Sequence, residues 1–163
     1  MAALETSNIN TESIINTESI IPNYIEYNTW EEIPDLKPEI LRGIYGSGYE
    51  TPSPIQKKGI APIIQGKNII GQAQSGTGKT CCFVTGTLNN IDISNQCTQA
   101  LILLPTRELA IQVLDVIHLI AKYMTGLQTK LLVGGTSVID DISMLNQNPP
   151  HIVVGCPGRI VDM

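Results

Sequence analysis

A chain of 163 residues, 42% of them hydrophobic, can form the core of one α/β domain and is too apolar to be disordered throughout. No apolar run approaches the roughly 20 residues that cross a bilayer, and no basic-then-apolar segment indicates a secretory leader. The net charge of −5 arises in residues 1–35, which contain seven acidic residues and no Lys or Arg. Residues 36–163 carry 10 basic and 8 acidic residues, so charge alone does not predict nucleic-acid binding.

The first segment contains a duplicated hexapeptide, Asn-Thr-Glu-Ser-Ile-Ile, at residues 10–15 and 16–21. Polar residues with so few apolar residues between them cannot bury enough surface to fold alone. Residues 1–28 are therefore predicted to be a flexible, low-complexity tail. Two copies are too few to stack as a solenoid.

Two short helices are predicted after the tail. The first spans residues 38–45, with proline in its first turn and glycines after its end. The second has Ser53 as its N-cap and Pro54 in its first turn, and it ends at Gln65, before a glycine.

From residue 67 onward, short apolar runs alternate with segments of helical periodicity. The run at 100–104 is apolar at successive positions, which predicts a strand buried on both faces of a parallel sheet. The alternation predicts an α/β fold, an open parallel sheet of about four strands with helices on both faces, whose ligands bind beyond the carboxyl ends of the strands. The predicted strands are 68–72, 100–104, 130–133 and 151–154, and the predicted helices are 79–90, 106–123 and 136–146.

The segment from Ala73 to Thr80, Ala-Gln-Ser-Gly-Thr-Gly-Lys-Thr, joins the first of these strands to its helix. Gly76 and Gly78 allow the backbone to bend closely around a polyphosphate, so that main-chain N–H groups point at it. Lys79 places an ammonium near the β- and γ-phosphates, and the hydroxyl of the final threonine is positioned to ligate Mg²⁺. The motif predicts a nucleoside triphosphate site. Ala73 replaces the glycine of the stricter pattern, and a chance glycine-rich turn is the alternative.

The later strands are followed by turns that suit a second polyanion beside the nucleotide. Thr106 can cap the helix after the second strand, which puts Arg107 at a helix N-terminus. Gly134-Gly135 offers bare backbone, and the turn at 156–159 carries another arginine. Each feature alone is ordinary, but together they favour a bound polyanion.

The cysteines and histidines predict no metal site. The four cysteines form no Cys-x-x-Cys pair and no Cys/His ligand spacing, so they are interpreted as small buried residues in a reducing compartment. His118 shares a solvated helix face, and His151 lies at a strand entrance. Neither is assigned any chemistry.

Four blocks, taken in chain order, resemble the signature motifs of the DEAD-box ATP-dependent RNA helicases, and most of all those of the translation-initiation members of that family. They are residues 48–56, 73–80, 105–110 and 156–159. The resemblance covers about Trp30 to Met163 and implies a RecA-like P-loop NTPase lobe. It divides the chain into the tail, a Q-motif region at 29–66 and a partial RecA-like ATP-binding lobe at 67–163.

The resemblance assigns an ATP site to the first two blocks. The first is similar to the Q motif, in which Gln56 reads the adenine edge and Tyr49 stacks on the base, and Thr51 belongs to the same block. Trp30 is the upstream aromatic residue, for which core packing is the alternative. The loop residues assigned to ATP are Ala73, Gln74, Ser75, Gly76, Thr77, Gly78, Lys79 and Thr80, with Lys79 and Thr80 as catalytic residues and Thr80 as a Mg²⁺ ligand.

By the same resemblance, the remaining turns hold the sugar–phosphate backbone of single-stranded RNA, or of RNA duplex ends, without reading bases. Cys156 stands where the family usually has Thr, and a thiol is a poorer donor to phosphate than a hydroxyl. The residues assigned to RNA are Pro105, Thr106, Arg107, Gly134, Gly135, Cys156, Pro157, Gly158 and Arg159.

The sequence reaches Met163 without the family's Asp-Glu-Ala-Asp block or its second lobe. We therefore expect an amino-terminal fragment of an ATP-dependent RNA helicase that is inactive by itself, with its phosphate-loop strand unpaired. A truncated, non-catalytic nucleotide- and RNA-binding module is the alternative, whereas a kinase or GTPase is disfavoured because no Asn-Lys-x-Asp guanine reader is present. The expected setting is a cytoplasmic or, alternatively, nuclear monomer, away from membranes and regulated by a scaffold protein.

Overall fold

A computed structural model describes residues 25–163 and the backbone of Ile14–Asn16. The rest of the predicted tail, residues 1–13 and 17–24, lies outside the described residues. Within the described part, every helix is too short or too polar to cross a membrane.

The described strands form two parallel sheets. β1 (Ile14–Asn16) pairs with β2 (Ile70–Gln72), while β3 (Ala100–Leu103), β4 (Thr129–Leu132) and β5 (Ile152–Gly155) form a second sheet in the order β3-β5-β4. The predicted parallel α/β architecture is confirmed, but the four predicted strands do not share one sheet, because β2 lies in the two-stranded sheet and the other three lie in the second. However, the phosphate-loop strand β2, which was expected to be unpaired, has β1 as a hydrogen-bonded neighbour.

Burial corrects one prediction about the sheet. Leu101 and Leu103 of β3 are each 51% exposed, so this strand is not buried on both faces. The strand that is buried at every position is β5. Its burial follows from its central place between β3 and β4, whereas β3 lies at the edge of the three-stranded sheet.

Six helices accompany the strands in the described residues, and five of them were predicted. The helix predicted at 106–123 is shorter than expected because Ala121–Tyr123 tightens into a 3-10 turn, and the helix predicted at 136–146 begins two residues later because Ser137 is its N-cap. The last helix, Pro157–Val161, was not predicted, although the proline in its first turn is a start signal. The helices are α1 (Pro38–Gly46), α2 (Pro54–Ile64), α3 (Lys79–Asn90), α4 (Arg107–Ile120), α5 (Val138–Gln147) and α6 (Pro157–Val161).

Two glycines set the close packing of the helices. α1 crosses the end of α4 at Gly43, where an added Cβ would overlap the carbonyl oxygen of Ile120. α3 packs on α2 at Gly86, where an added Cβ would lie 2.5 Å from Cγ2 of Ile63. Because α3 starts at the end of the phosphate loop, its contact with α2 fixes where that loop lies.

Candidate functional site

The phosphate-loop motif connects β2 to α3, as predicted. α3 begins at Lys79, and the two glycines before it, Gly76 and Gly78, have φ angles of +78° and +88°. Both angles lie in the left-handed region that favours glycine. An added Cβ at Gly78 would also collide with the side chain of Gln56. The loop ends at a helix N-terminus, whose free N–H groups and positive dipole end attract an anion.

The side chain of Lys79 forms hydrogen bonds with carbonyl groups of its own loop. Its Nζ donates hydrogen bonds to the carbonyls of Ala73 and Gln74, each at 2.6 Å. The Thr77 hydroxyl donates to the same Gln74 carbonyl at 2.8 Å. A phosphate in the loop would offer the ammonium negatively charged oxygens in place of neutral ones, which adds Coulomb attraction between opposite charges to each hydrogen bond.

The first turn of α2 braces the loop from outside. Ser53 Oγ donates to the Thr77 carbonyl at 2.8 Å, and Gln56 Nε2 donates to the Gly78 carbonyl at 3.1 Å. Gln56 Oε1 accepts a hydrogen bond from the Ser53 N–H at 2.7 Å, as in a capping box. Two side chains of the Q-motif block therefore hold two consecutive carbonyls of the phosphate loop.

Gln56, which the sequence assigned to the adenine edge, is already bonded at both ends. Its side chain is 3% exposed, and its amide oxygen and nitrogen each have a protein partner. Reading a base would require it to exchange at least one of these bonds. This bracing role was not predicted, although the spacing Ser-x-x-Gln before an apolar run was an available signal.

The aromatic residues assigned to the base differ in exposure. Trp30 is fully buried, and its Nε1–H donates to the Tyr49 carbonyl at 3.1 Å. Core packing, the alternative that the sequence left open, is the role that this geometry favours, because no face of the ring is free. Tyr49 is half-buried, and burial is the main reason that its pKa is raised. Thr51 is exposed, so it and the Tyr49 ring are the accessible members of this group.

Arg107 links two of the turns assigned to RNA. Its Nη1 donates to the Gly134 carbonyl at 3.0 Å, and the residue remains exposed. Thr106 caps α4 as predicted, since its Oγ1 accepts a hydrogen bond from the Leu109 N–H at 3.3 Å. Gly135 has a φ of +92°, and an added Cβ would lie 3.2 Å from Arg107 Nη1. The two turns therefore form one surface in which bare backbone adjoins an arginine.

Arg159, also assigned to RNA, lies beneath this surface. It is 7% exposed, and its Nη2 donates to the Thr136 carbonyl at 2.6 Å. This differs from the predicted direct contact, because a buried guanidinium cannot meet a phosphate without leaving its protein partner. The backbone of the adjoining turns is accessible, since Pro105, Pro157 and Gly158 are exposed and Cys156 is half-buried.

An acidic residue that the sequence analysis did not single out organises this region. Asp141 of α5 is 4% exposed, and its carboxylate lies 2.9 Å from both Lys130 Nζ and the Thr136 hydroxyl. Arg159 Nη1 lies 3.9 Å from the same carboxylate. Burial raises the pKa of Asp141, but the hydrogen bonds from Lys130 and Thr136 and the nearby cations outweigh burial and lower it overall. No local pattern announces this role, because Lys130 and Arg159 come from distant strands and helices.

The remaining titratable groups of interest are structural. His151 is fully buried, and its Nδ1 accepts from the Gln128 N–H at 2.9 Å while Nε2 donates to the Ile93 carbonyl at 3.2 Å. Burial raises the pKa of the Cys81 and Cys82 thiols to about 11 and about 12. Across residues 25–163, no three His, Cys, Asp or Glu side chains gather into a metal site.

Comparison with known proteins decides which family this loop and these turns belong to. The family model described as DEAD/DEAH box helicase matches residues 53–163, well over half of the chain. The chain belongs to this family. The match begins at Ser53, the first of the residues that brace the phosphate loop, and includes all the turns that Arg107 and Arg159 join.

Curated relatives in this family are similar along most of this chain. The ATP-dependent RNA helicases eIF4A of Yarrowia lipolytica and Aspergillus clavatus are 47% and 50% identical to it over 149 and 141 residues. These alignments cover 91% and 86% of this chain but 37% and 35% of the two relatives. The chain thus spans about a third of their length.

Solved structures of DEAD-box proteins share the fold. A DEAD box protein from the hyperthermophile Methanococcus jannaschii has a TM-score of 0.77 at 38% identity, covering 85% of this chain and 37% of that one. S. cerevisiae Dbp5 bound to RNA and ADP BeF3 has a TM-score of 0.74 at 33% identity, covering 83% and 34%. The RecA-like fold implied by the sequence is therefore confirmed.

Proposed function

We propose that this chain is the amino-terminal part of an ATP-dependent RNA helicase of the eIF4A type, which binds ATP in loop 73–80 and single-stranded RNA across the neighbouring turns. The observation that carries the RNA proposal is the double anchoring of the turn at 134–136. Arg107 holds it from the exposed side and Arg159 from the buried side. The turns at 105–107, 134–136 and 156–159 thereby form one surface, which consists of main chain and one exposed arginine. Such a surface suits a sugar–phosphate chain, whose charges repeat and whose bases need not be read.

The phosphate loop fits ATP because its glycine backbone leaves room for a phosphate and because its main-chain N–H groups and the Lys79 ammonium can donate hydrogen bonds to it. Gly78 has no room for a side chain, and the Lys79 ammonium is held inside the loop by two carbonyls. On binding, Lys79 would exchange those carbonyls for the β- and γ-phosphates, and the first N–H groups of α3 would face the same anion. The Thr80 hydroxyl would hold Mg²⁺, which supplies positive charge to the phosphate oxygens. Lys79 would then stabilise the charge that develops as the phosphoryl group is transferred.

We further propose a monomer that acts in the cytoplasm, with the nucleus as the alternative, on single-stranded RNA or at duplex ends. The relatives named eIF4A support the RNA role. A regulating scaffold protein is proposed by analogy, since S. cerevisiae Dbp5 has been solved bound to RNA and also to Nup159 and Gle1.

Binding measurements on the 163-residue chain test both halves of the proposal. A fluorescent ATP analogue should bind to the chain, Lys79→Ala should abolish that binding, and ATP should compete better than GTP. A fluorescent single-stranded oligoribonucleotide should bind without sequence preference and more weakly as salt rises. Arg107→Ala should weaken RNA binding, whereas Arg42→Ala, an exposed arginine on α1, serves as the charge-matched control. A preference for GTP, or equal RNA binding by the two arginine variants, would contradict the proposal.

A non-catalytic nucleotide- and RNA-binding module is the second candidate. It is favoured by the described hydrogen bonds to the carbonyls of the loop, which come from hydroxyl, amide and ammonium groups, while none of the side chains in these bonds is a carboxylate that could orient water. We expect this chain to release no more phosphate from ATP in the presence of RNA than its Lys79→Ala variant does. RNA-stimulated turnover by a protein extended beyond Met163 would favour the helicase, and binding without turnover there would favour the module.

A further inference from the structure

We propose that Asp141 is a positioning residue for RNA: by holding Arg159 beneath the Thr136–Ser137 peptide, it keeps the Ser137 N–H turned outward, where it can bind a phosphate. The inference deepens the proposed function and rests on it, because it names a contact and its support within the same surface. Neither Asp141 nor Ser137 belongs to the signature blocks found in the sequence.

Asp141 contacts three separate elements. Its carboxylate receives Lys130 from β4 at 2.9 Å and the Thr136 hydroxyl from the turn at 2.9 Å. Arg159 of α6 lies 3.9 Å away through Nη1, a buried atom with no hydrogen-bond partner among the described residues. Asp141 is thus the only carboxylate in the described salt bridges of Arg159, and its charge offsets the cost of burying the guanidinium.

Arg159 orients the peptide bond between Thr136 and Ser137. Its Nη2 donates to the Thr136 carbonyl at 2.6 Å, so that carbonyl points inward to a buried cation. The described peptide bonds are trans and planar, so the N–H of the next residue points the opposite way from the carbonyl. The Ser137 N–H therefore points away from the buried guanidinium, and it precedes the first turn of α5, where further N–H groups are free.

Asp140, the neighbour of Asp141, provides a matched control within the same helix. Asp140 occupies the same turn of α5, but it is exposed, and its own N–H is bonded to the Ser137 hydroxyl at 3.3 Å. Replacing either aspartate by asparagine removes the same unit of negative charge from nearly the same place. Long-range electrostatics alone would make both variants bind RNA slightly more tightly. A positioning role makes the two variants differ.

The test combines a measurement without RNA and one with it. Without RNA, NMR should show the Arg159 Nε–H exchanging with water about tenfold faster in Asp141→Asn than in the unsubstituted chain or Asp140→Asn, because a buried charge has lost its partner. With RNA, Asp141→Asn should raise the oligoribonucleotide Kd about five- to tenfold, which is less than the loss expected when a charged hydrogen bond is removed outright, because the Ser137 N–H is misplaced and not deleted. Affinity for the ATP analogue should be unchanged, and Asp141→Glu should restore part of the RNA affinity.

A second pair of variants addresses the Ser137 N–H without disturbing Asp141. Ser137→Pro removes the N–H at a φ of −68°, which proline adopts readily, and Ser137→Ala removes only the capping hydroxyl. We expect the proline variant to bind RNA several-fold more weakly than the alanine variant. Equal RNA affinity of these two variants, or of Asp141→Asn and Asp140→Asn, would overturn the inference. Absence of RNA binding by the unsubstituted chain would refute the proposed function and the RNA contact together, while the Arg159 exchange rates would still decide whether Asp141 holds that side chain.

Discussion

The bracing of the phosphate loop by Gln56 yields a prediction with a definite magnitude. Gln56→Ala removes two hydrogen bonds, one to the Gly78 carbonyl and one from the Ser53 N–H, at a residue that is 3% exposed. At about 1 kcal/mol for each bond, we expect the free energy of unfolding to fall by about 2 kcal/mol. With a urea slope of roughly 1–3 kcal/mol/M for a small domain, the midpoint should fall by about 1 M.

The matched control is Gln65→Ala, which truncates an exposed glutamine at the other end of α2 and should change stability by less than about 0.5 kcal/mol. Urea unfolding followed by circular dichroism compares the two, and ATP-analogue titration should show weaker binding for Gln56→Ala only, because the loop has lost its brace. If Gln56 served only to read adenine, its variant would unfold like the control and would lose only its preference for ATP over GTP. That result would refute the bracing role.

Three further predictions concern packing, thiols and acid. Gly86→Ala pushes a Cβ to 2.5 Å from the facing isoleucine of α2 and should destabilise the chain by about 1–3 kcal/mol in thermal unfolding, whereas a Tm equal to that of the parent would contradict the close packing. At pH 8, Ellman's reagent should modify the half-exposed Cys97 well before Cys81 and Cys82, because burial raises the pKa of those two thiols to about 11 and about 12. Equal modification rates for the three thiols would disprove this protection by burial. The lowered pKa of Asp141 stabilises the fold above the ordinary value of 3.8, and this contribution is lost as the pH falls through the lowered pKa. Asp141→Asn should therefore lose less stability than the parent on acidification from pH 5 to pH 2, and parallel acid-unfolding curves would argue against that contribution.

The starts of two helices and the backbone angles of the phosphate loop were predictable from the sequence, because they depend on residues that are close together in the chain. Ser53 and Pro54 start α2 where capping preferences place it, and the glycines of the phosphate loop adopt the left-handed angles that their type allows. Thr106 caps α4 through the expected hydrogen bond. In each case the partner is within a few residues, so the sequence pattern contains the whole interaction.

Long-range contacts decided what the sequence analysis missed. The run at 100–104 is as apolar as a central strand, yet β3 lies at an edge of its sheet, which no residue within the run reveals. Arg159 has the sequence context of an anion ligand, but Thr136 and Asp141 hold it inside. Trp30 likewise depends on the carbonyl of Tyr49, 19 residues away. Burial of these groups depends on how distant segments pack.

The edge position of β3 has a practical consequence for anyone handling this polypeptide. Its outward-facing leucines, Leu101 and Leu103, are half-accessible, and one flank of its backbone has no strand beside it within the described chain. Such a flank is a template onto which another copy can add a strand, so we expect any departure from the proposed monomer to begin here and to grow with concentration. Measurements in solution should therefore use dilute samples. The Leu101→Lys variant should also keep the molecules separate, because a charge on this strand opposes pairing between copies.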